Sequence, residues 1–173
     1  MTPRVSPGGL LQQGPINFVI SRVGAHAIGA DDMHLFSTLG RSKRLFLGWL
    51  GYSGMLMPFG ALRRSESETV ILRVAHLRGN TYELGHHRRI GARTGLDRDR
   101  QEAIFAGTGW DERSGALLHA TTELVETKAV TDATWSELSR HFDDRRLVEI
   151  VMLATQYDGL ATAIETLGIE PER

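Results

Sequence analysis

Apolar residues recur along this 173-residue chain at steps of three and four, the period of α-helices that each present one face to a core. Residues 1–14, rich in Pro and Gly, read as a flexible N-terminal arm. Helices are expected from Ile16 to Ile28, from a cap at Asp31 or Asp32 to Leu39, and from Ser42 to Met57, where Pro58 stops the third. Ser65 opens a fourth, with Ile71, Leu72, Val74 and Ala75 on its apolar face and Gly79 at its end. Asn80 opens a fifth that runs to Thr94 before Gly95, and Asp97 caps a short sixth to Ala106. Ser114 to Ala129, Asp132 to Phe142 and Arg145 to Leu167 complete the set. The last carries Leu147, Ile150, Val151, Ala154, Ala161 and Ile164 at helical spacing. Two-residue alternation is nearly absent, and the short run Asn17 to Ile20 reads as helix. The expectation is one all-α domain over residues 15–173.

Composition narrows the function classes. Apolar residues at 41 % and charged residues at 24 % are ordinary for a globular protein. The formal net charge of −1 gives no reason to expect nucleic acid or an anionic membrane surface as a partner. The run Leu45 to Phe59 is broken by Gly48, Gly51, Gly54 and Pro58, and no stretch approaches the roughly 20 apolar residues that span a bilayer. The N-terminus lacks the apolar segment of a signal peptide, so a cytoplasmic location is expected. There is no cysteine. That excludes disulfides, thiolate metal sites and cysteine-based redox chemistry.

The candidate chemistry lies in one spacing: Glu68, eleven residues, Asn80, two residues, Glu83, three residues, His87. Residues four apart share a helix face, so Glu83 and His87 can touch. Glu68 shares its stripe with Ile71, Leu72 and Ala75, surroundings that disfavour a charged carboxylate, whereas a neighbouring carboxylate favours a protonated imidazole. Such a set can transfer protons near neutral pH. Helix capping is the competing reading for both acids, because each stands three residues after an apparent cap. His86 and His87 can likewise be solvent-facing, or one of them a hydrogen-bonded core histidine. Glu83-Leu-Gly-His86 is the Glu-x-x-His element of di-iron bundles, but it has no second copy, so no metal is expected. Arg73 and Arg78 can hold a substrate carboxylate through a bidentate contact or form ordinary ion pairs, and Arg63-Arg64 reads as a solvated basic pair. Trp49, Trp110 and Trp135 read as core or interface anchors.

The segment from about Gly60 to Gly107 resembles the carboxymuconolactone decarboxylase family, which includes the alkylhydroperoxidase D proteins. The peroxidase branch carries Glu, eleven residues, Cys-x-x-Cys, three residues and His. Here Asn80 and Glu83 occupy both cysteine positions, while Glu68 and His87 match in type and spacing. Tyr82-Glu83 before His87, followed by Ile90 to Leu96, is similar to the cysteine-free branch, with Leu84 in place of the Trp of a Tyr-Glu-Trp motif. The segments Gly14 to Phe18 and Asp143 to Leu167 are similar in layout.

The resemblance implies an all-α, alkylhydroperoxidase D-like fold assembled as homotrimers or hexamers, with sites near subunit interfaces. It implies a small-molecule substrate and no cofactor. The thiol peroxidase route is closed to a chain without cysteine. The decarboxylase route, from a carboxylated lactone to an enol-lactone by proton transfer, asks for an acid, a base and an anchor. The expectation is therefore a lyase or isomerase acting on a small carboxylate or lactone. His87 would be its general acid/base, with Glu83 orienting it or sharing the proton and Glu68 as the second acid. Tyr82, His86, Asn80 and Arg73 would contact the substrate. The alternative is a non-catalytic oligomeric binding protein that kept the helical frame.

Overall fold

The helical period is realised along the chain. The computed structural model describes residues 3–172, with the backbone alone at Ala27. Among these residues there are nine helices and no strand: α1 (Leu10–Ile28), α2 (His34–Leu39), α3 (Lys43–Leu56), α4 (Arg64–Leu77), α5 (Thr81–Arg93), α6 (Arg98–Ala106), α7 (Glu112–Thr127), α8 (Asp132–Ser139) and α9 (Asp144–Leu167). The single domain expected from the sequence divides into two compact units, Met1–Met55 with Thr162–Arg173, and Leu56–Ala161.

In the first unit the N-terminal segment, expected as a flexible arm, makes backbone contacts from residue 4 onward. The Arg4 and Val5 N–H groups donate to the Leu167 carbonyl at 2.9 and 3.3 Å, and Gly8 N–H donates to the Ser37 carbonyl at 2.9 Å. A helical turn already begins at Leu10, and the chain kinks at Gly14 (φ 76°) before Pro15, which has no N–H to continue a ladder. Residues 1–2 lie outside the described residues. Gln13, Asn17 and Ser21 form a buried polar ladder at four-residue spacing on α1. Asn17 Nδ2 donates to the Gly40 and Lys43 carbonyls at 3.2 Å each, which ties α1 to the turn between α2 and α3. Trp49 packs with Phe36 and Phe46.

The second unit is built around α4. Ten consecutive residues, Glu66 to Ala75, are buried, because α5, α6 and α7 all pack on this helix. Leu72 joins Leu96, Ile104 and Leu118 in a fully buried cluster, with Leu84 and Phe105 against it. A helix enclosed on every side must also satisfy its polar residues inside the protein. Thr69 and Ser67 do so locally, donating to the Ser65 and Arg63 carbonyls at 2.8 and 3.2 Å. Glu66, Glu68 and Arg73 reach other elements. Trp110 (37 % exposed) and Trp135 (42 %) lie at the surface and not in the core.

The expectation that no segment approaches bilayer length is also corrected. α9, with 24 residues and a window of mean hydropathy 1.2, is long and apolar enough to cross a membrane by length and composition alone. Ile150, Leu153, Ala154, Tyr157 and Leu160 are buried along it, as in the core helix of a globular unit.

Truncating Leu72 to Ala should lower unfolding free energy by about 2–5 kcal/mol, the cost of a cavity in a site that cannot collapse. Urea denaturation measures it, and a loss below about 1 kcal/mol would contradict the enclosed cluster around α4.

Candidate functional site

Two helix starts determine where the acids point. α4 begins earlier than the Ser65 cap predicted: Arg63 is the N-cap, so Glu66 is the acid three residues on. Glu66 Oε2 accepts the Arg63 N–H at 2.9 Å, and its Oε1 accepts from Arg113 Nε at 2.7 Å. Glu68 is thereby released from capping and lies fully buried. At α5 the predicted N-cap, Asn80, is observed, its side chain accepting the Glu83 N–H at 3.0 Å. Asn80 N–H already donates to the Ala75 carbonyl at 2.9 Å, which leaves the Glu83 carboxylate for another partner.

That partner is His87. Its Nδ1 stands 2.7 Å from Glu68 Oε2, and its Nε2 stands 3.2 Å from Glu83 Oε2. Each face of the imidazole that can carry a proton therefore meets a carboxylate. Tyr157, on α9, completes the enclosure: its hydroxyl is 3.4 Å from His87 Nε2, and the two rings meet edge to face at 5.3 Å. Glu68 is 0 %, Glu83 4 %, His87 6 % and Tyr157 8 % exposed. Behind Glu68, Arg64 Nη2 lies 2.7 Å from Oε1, one turn earlier on α4.

Burial alone would push the His87 pKa down. Hydrogen bonds from Glu68 and Glu83, with the charges of the same two carboxylates, outweigh it and carry the imidazole up to about 9. At neutral pH His87 is an imidazolium donating to both acids. Burial pushes Tyr157 well above the ordinary phenol range, the Glu83 and Glu68 charges add to this, and Arg64 opposes it; the hydroxyl stays protonated.

The remaining sequence candidates fall elsewhere. Asn80 is buried as the α5 cap. Tyr82 and His86 are buried with their rings 4.7 Å apart, and Arg89 Nη2 approaches His86 Nδ1 at 3.4 Å. Arg73 is held by three neutral acceptors. Its Nη1 donates to the Ile104 and Phe105 carbonyls at 3.2 and 2.7 Å, and its Nε to Thr122 at 2.9 Å. These bonds tie α4 to α6 and α7. Gly107 (φ 75°) leaves room for them, since a Cβ there would stand 2.8 Å from Arg73 Nη2. Among the described residues no group of three or more His, Asp and Glu side chains stands in a metal-holding arrangement.

Sequence reasoning missed two contributors, Tyr157 and Arg64. The signal for Tyr157 was a polar-tipped ring three residues after Ala154 and four before Ala161, on the apolar stripe of α9. The signal for Arg64 was its four-residue step to Glu68, which places both on one face once the true helix start is known.

This helical frame matches known proteins. Residues 44–126 match the carboxymuconolactone decarboxylase family. The match covers just under half of the chain. No curated protein sequence matches it. Its fold is shared with an uncharacterized peroxidase-related protein from Silicibacter sp. TM1040 (TM-score 0.82, 13 % identity, 99 % of this chain and 95 % of the other). It is also shared with an alkylhydroperoxidase AhpD core protein from Ralstonia eutropha JMP134 (TM-score 0.82, 16 % identity, 99 % and 94 %). A variant of the debrominase Bmp8 in complex with 2,3,4-tribromopyrrole superposes with TM-score 0.84 at 18 % identity over 99 % and 93 % of the two chains. This chain contains no cysteine.

Because the folded His87 pKa lies above its ordinary 6.5, its contribution to stability is complete below that value and is lost as pH rises toward 9. Unfolding free energy should fall over this window by about 3 kcal/mol, an effect absent in His87→Gln. Denaturation across pH 6 to 10, with imidazole titration by NMR, checks both the slope and the midpoint. A midpoint near the ordinary value would contradict the double carboxylate contact.

Proposed function

We propose that this chain is a cofactor-independent acid/base enzyme, a lyase or isomerase acting on a small carboxylate or lactone. The fold cannot choose the reaction, since proteins described as peroxidase-related and as a debrominase share it. The observation that carries the reading is the buried His87 held between Glu68 and Glu83. A thiol route has no nucleophile in this chain.

In this reading His87 is the acid and Glu83 the base. For isomerisation, Glu83 takes the proton from a carbon next to the carbonyl, and the electron pair passes into the carbonyl as an enolate. His87 then delivers a proton at the carbon or oxygen where the charge resides. For decarboxylation, an ionised carboxylate on the carbon next to the carbonyl leaves as CO2, and the electron pair of the broken C–C bond stays behind as the enolate that His87 protonates. Glu68 holds Nδ1 throughout, fixing the ring and stabilising its charged form. The low-exposure surroundings keep water from competing for these protons. Assembly into homo-oligomers, which the family resemblance implies, belongs to the same proposal.

The test is solvent deuterium incorporation into carboxylated lactones, together with CO2 release. The wild-type chain should catalyse one or both. His87→Gln and Glu83→Gln should each slow it by about 10² to 10⁴, the usual contribution of a positioned acid or base, with folding verified by circular dichroism. Undiminished turnover in His87→Gln would end the assignment.

A further inference from the structure

We infer that Arg64 and Glu68 together form the edge that recognises the substrate of the proposed site, and that this edge takes a neutral group presenting an acceptor and a donor side by side. The inference rests on the acid/base reading above and names the chemistry of its ligand. Glu68 Oε1 is buried on a fully buried residue and has no hydrogen-bond partner, although the same carboxylate holds His87 through Oε2. Arg64 Nη1 is likewise buried without a partner. Arg64 Nη2 stands 2.7 Å from Oε1, close enough for charge attraction, yet the contact leaves Oε1 without a hydrogen bond. Apart from that ion pair, an acceptor and a donor therefore lie beside each other without a hydrogen bond, next to the imidazolium. Buried polar atoms without partners are few in native proteins, and a matched pair at a proton-transfer cluster points to a ligand.

Charge selects the kind of ligand. Arg64 and His87 carry two positive charges, Glu68 and Glu83 two negative ones, so the cluster is neutral. A free carboxylate gains no net attraction there and meets two like charges. A carbonyl oxygen accepting from Arg64 Nη1, flanked by an O–H or N–H donating to Glu68 Oε1, satisfies both atoms at no cost in charge. A hydroxy-substituted lactone, a protonated carboxyl and a cyclic amide all present such an edge. The Arg64 side chain is 33 % exposed, whereas Glu68 is 0 % exposed. This edge replaces Arg73, whose guanidinium is occupied by backbone carbonyls and Thr122, as the anchor.

The experiment is an NMR titration of the full, 15N-labelled chain with 2-pyrrolidinone, whose carbonyl and N–H are adjacent in a five-membered ring. The comparison ligands are N-methyl-2-pyrrolidinone, which has the acceptor alone, and acetate. The lactam should shift the His87 imidazole nitrogens saturably, because it loads the other oxygen of the carboxylate that holds Nδ1. Binding should weaken at least tenfold for the N-methyl compound, for acetate and in Arg64→Gln, and should be unchanged in Arg63→Gln. Arg64→Lys keeps the charge but not the forked N–H pair and should also lose the lactam, which serves if Arg64→Gln does not fold. Equal binding of the N-methyl compound or of acetate, undiminished binding by both Arg64 variants, or no lactam binding by the wild type would each overturn the inference. Lactam binding intact alongside full turnover in His87→Gln would instead overturn the acid/base reading and leave the recognition edge standing.

Discussion

The burial of α4 from Glu66 to Ala75 is the constraint from which the rest follows. Along that stretch three other helices pack on α4, so its polar residues find their partners within the protein. Glu66 takes the helix start and Arg113, Arg73 takes the carbonyls at the end of α6, and Glu68 takes His87. The same requirement thus builds the scaffold and the candidate site. Without the enclosure Glu68 would be a hydrated surface acid, and His87 would titrate near its ordinary value.

Much of the fold was legible because the helices announce themselves by period and cap. The starts of α5 and α6 follow from Asn80 and Asp97, whose side chains accept from the backbone three residues on. The start of α4 was not legible, for a specific reason. Ser65 and Glu68 imitate a capping box, while Arg63, a residue without an acceptor oxygen in its side chain, is a poor cap by type. The difference matters, since the apparent box made capping a competing role for Glu68 and left Arg64 to solvent. Glu83 and His87 were readable as neighbours from their four-residue step alone. Tyr157 was not, because only tertiary packing joins α9 to α5, across a separation of 70 residues.

The two arginines of α4 show how residue type underdetermines role. Arg73 had the better sequence case as an anchor, sitting near the acids on an apolar helix. Its side chain instead closes the end of α6, where three neutral acceptors match its donors and the absence of a side chain at Gly107 admits the guanidinium. Arg64, one turn before Glu68, carries the charge that the buried acids need. Their division of labour follows from which acceptors each can reach. Two backbone carbonyls and a hydroxyl hold one guanidinium through Nη1 and Nε, and a single carboxylate oxygen faces the other.

The glutamate at position 83 changes what this frame can do. The family resemblance puts a cysteine of the peroxidase branch there, a group that at its ordinary pKa is largely neutral at pH 7. Glu83 adds a formal negative charge beside an imidazole already bound to Glu68. Two carboxylates on one buried ring are tolerable only if the ring carries the compensating charge and a second cation stands behind them. His87 and Arg64 supply those charges. A histidine held in its charged form is a poor base and a ready acid, so the basic role passes to a carboxylate. In the proposed chemistry the substitution that removes the redox function therefore also divides the acid and base roles between His87 and Glu83.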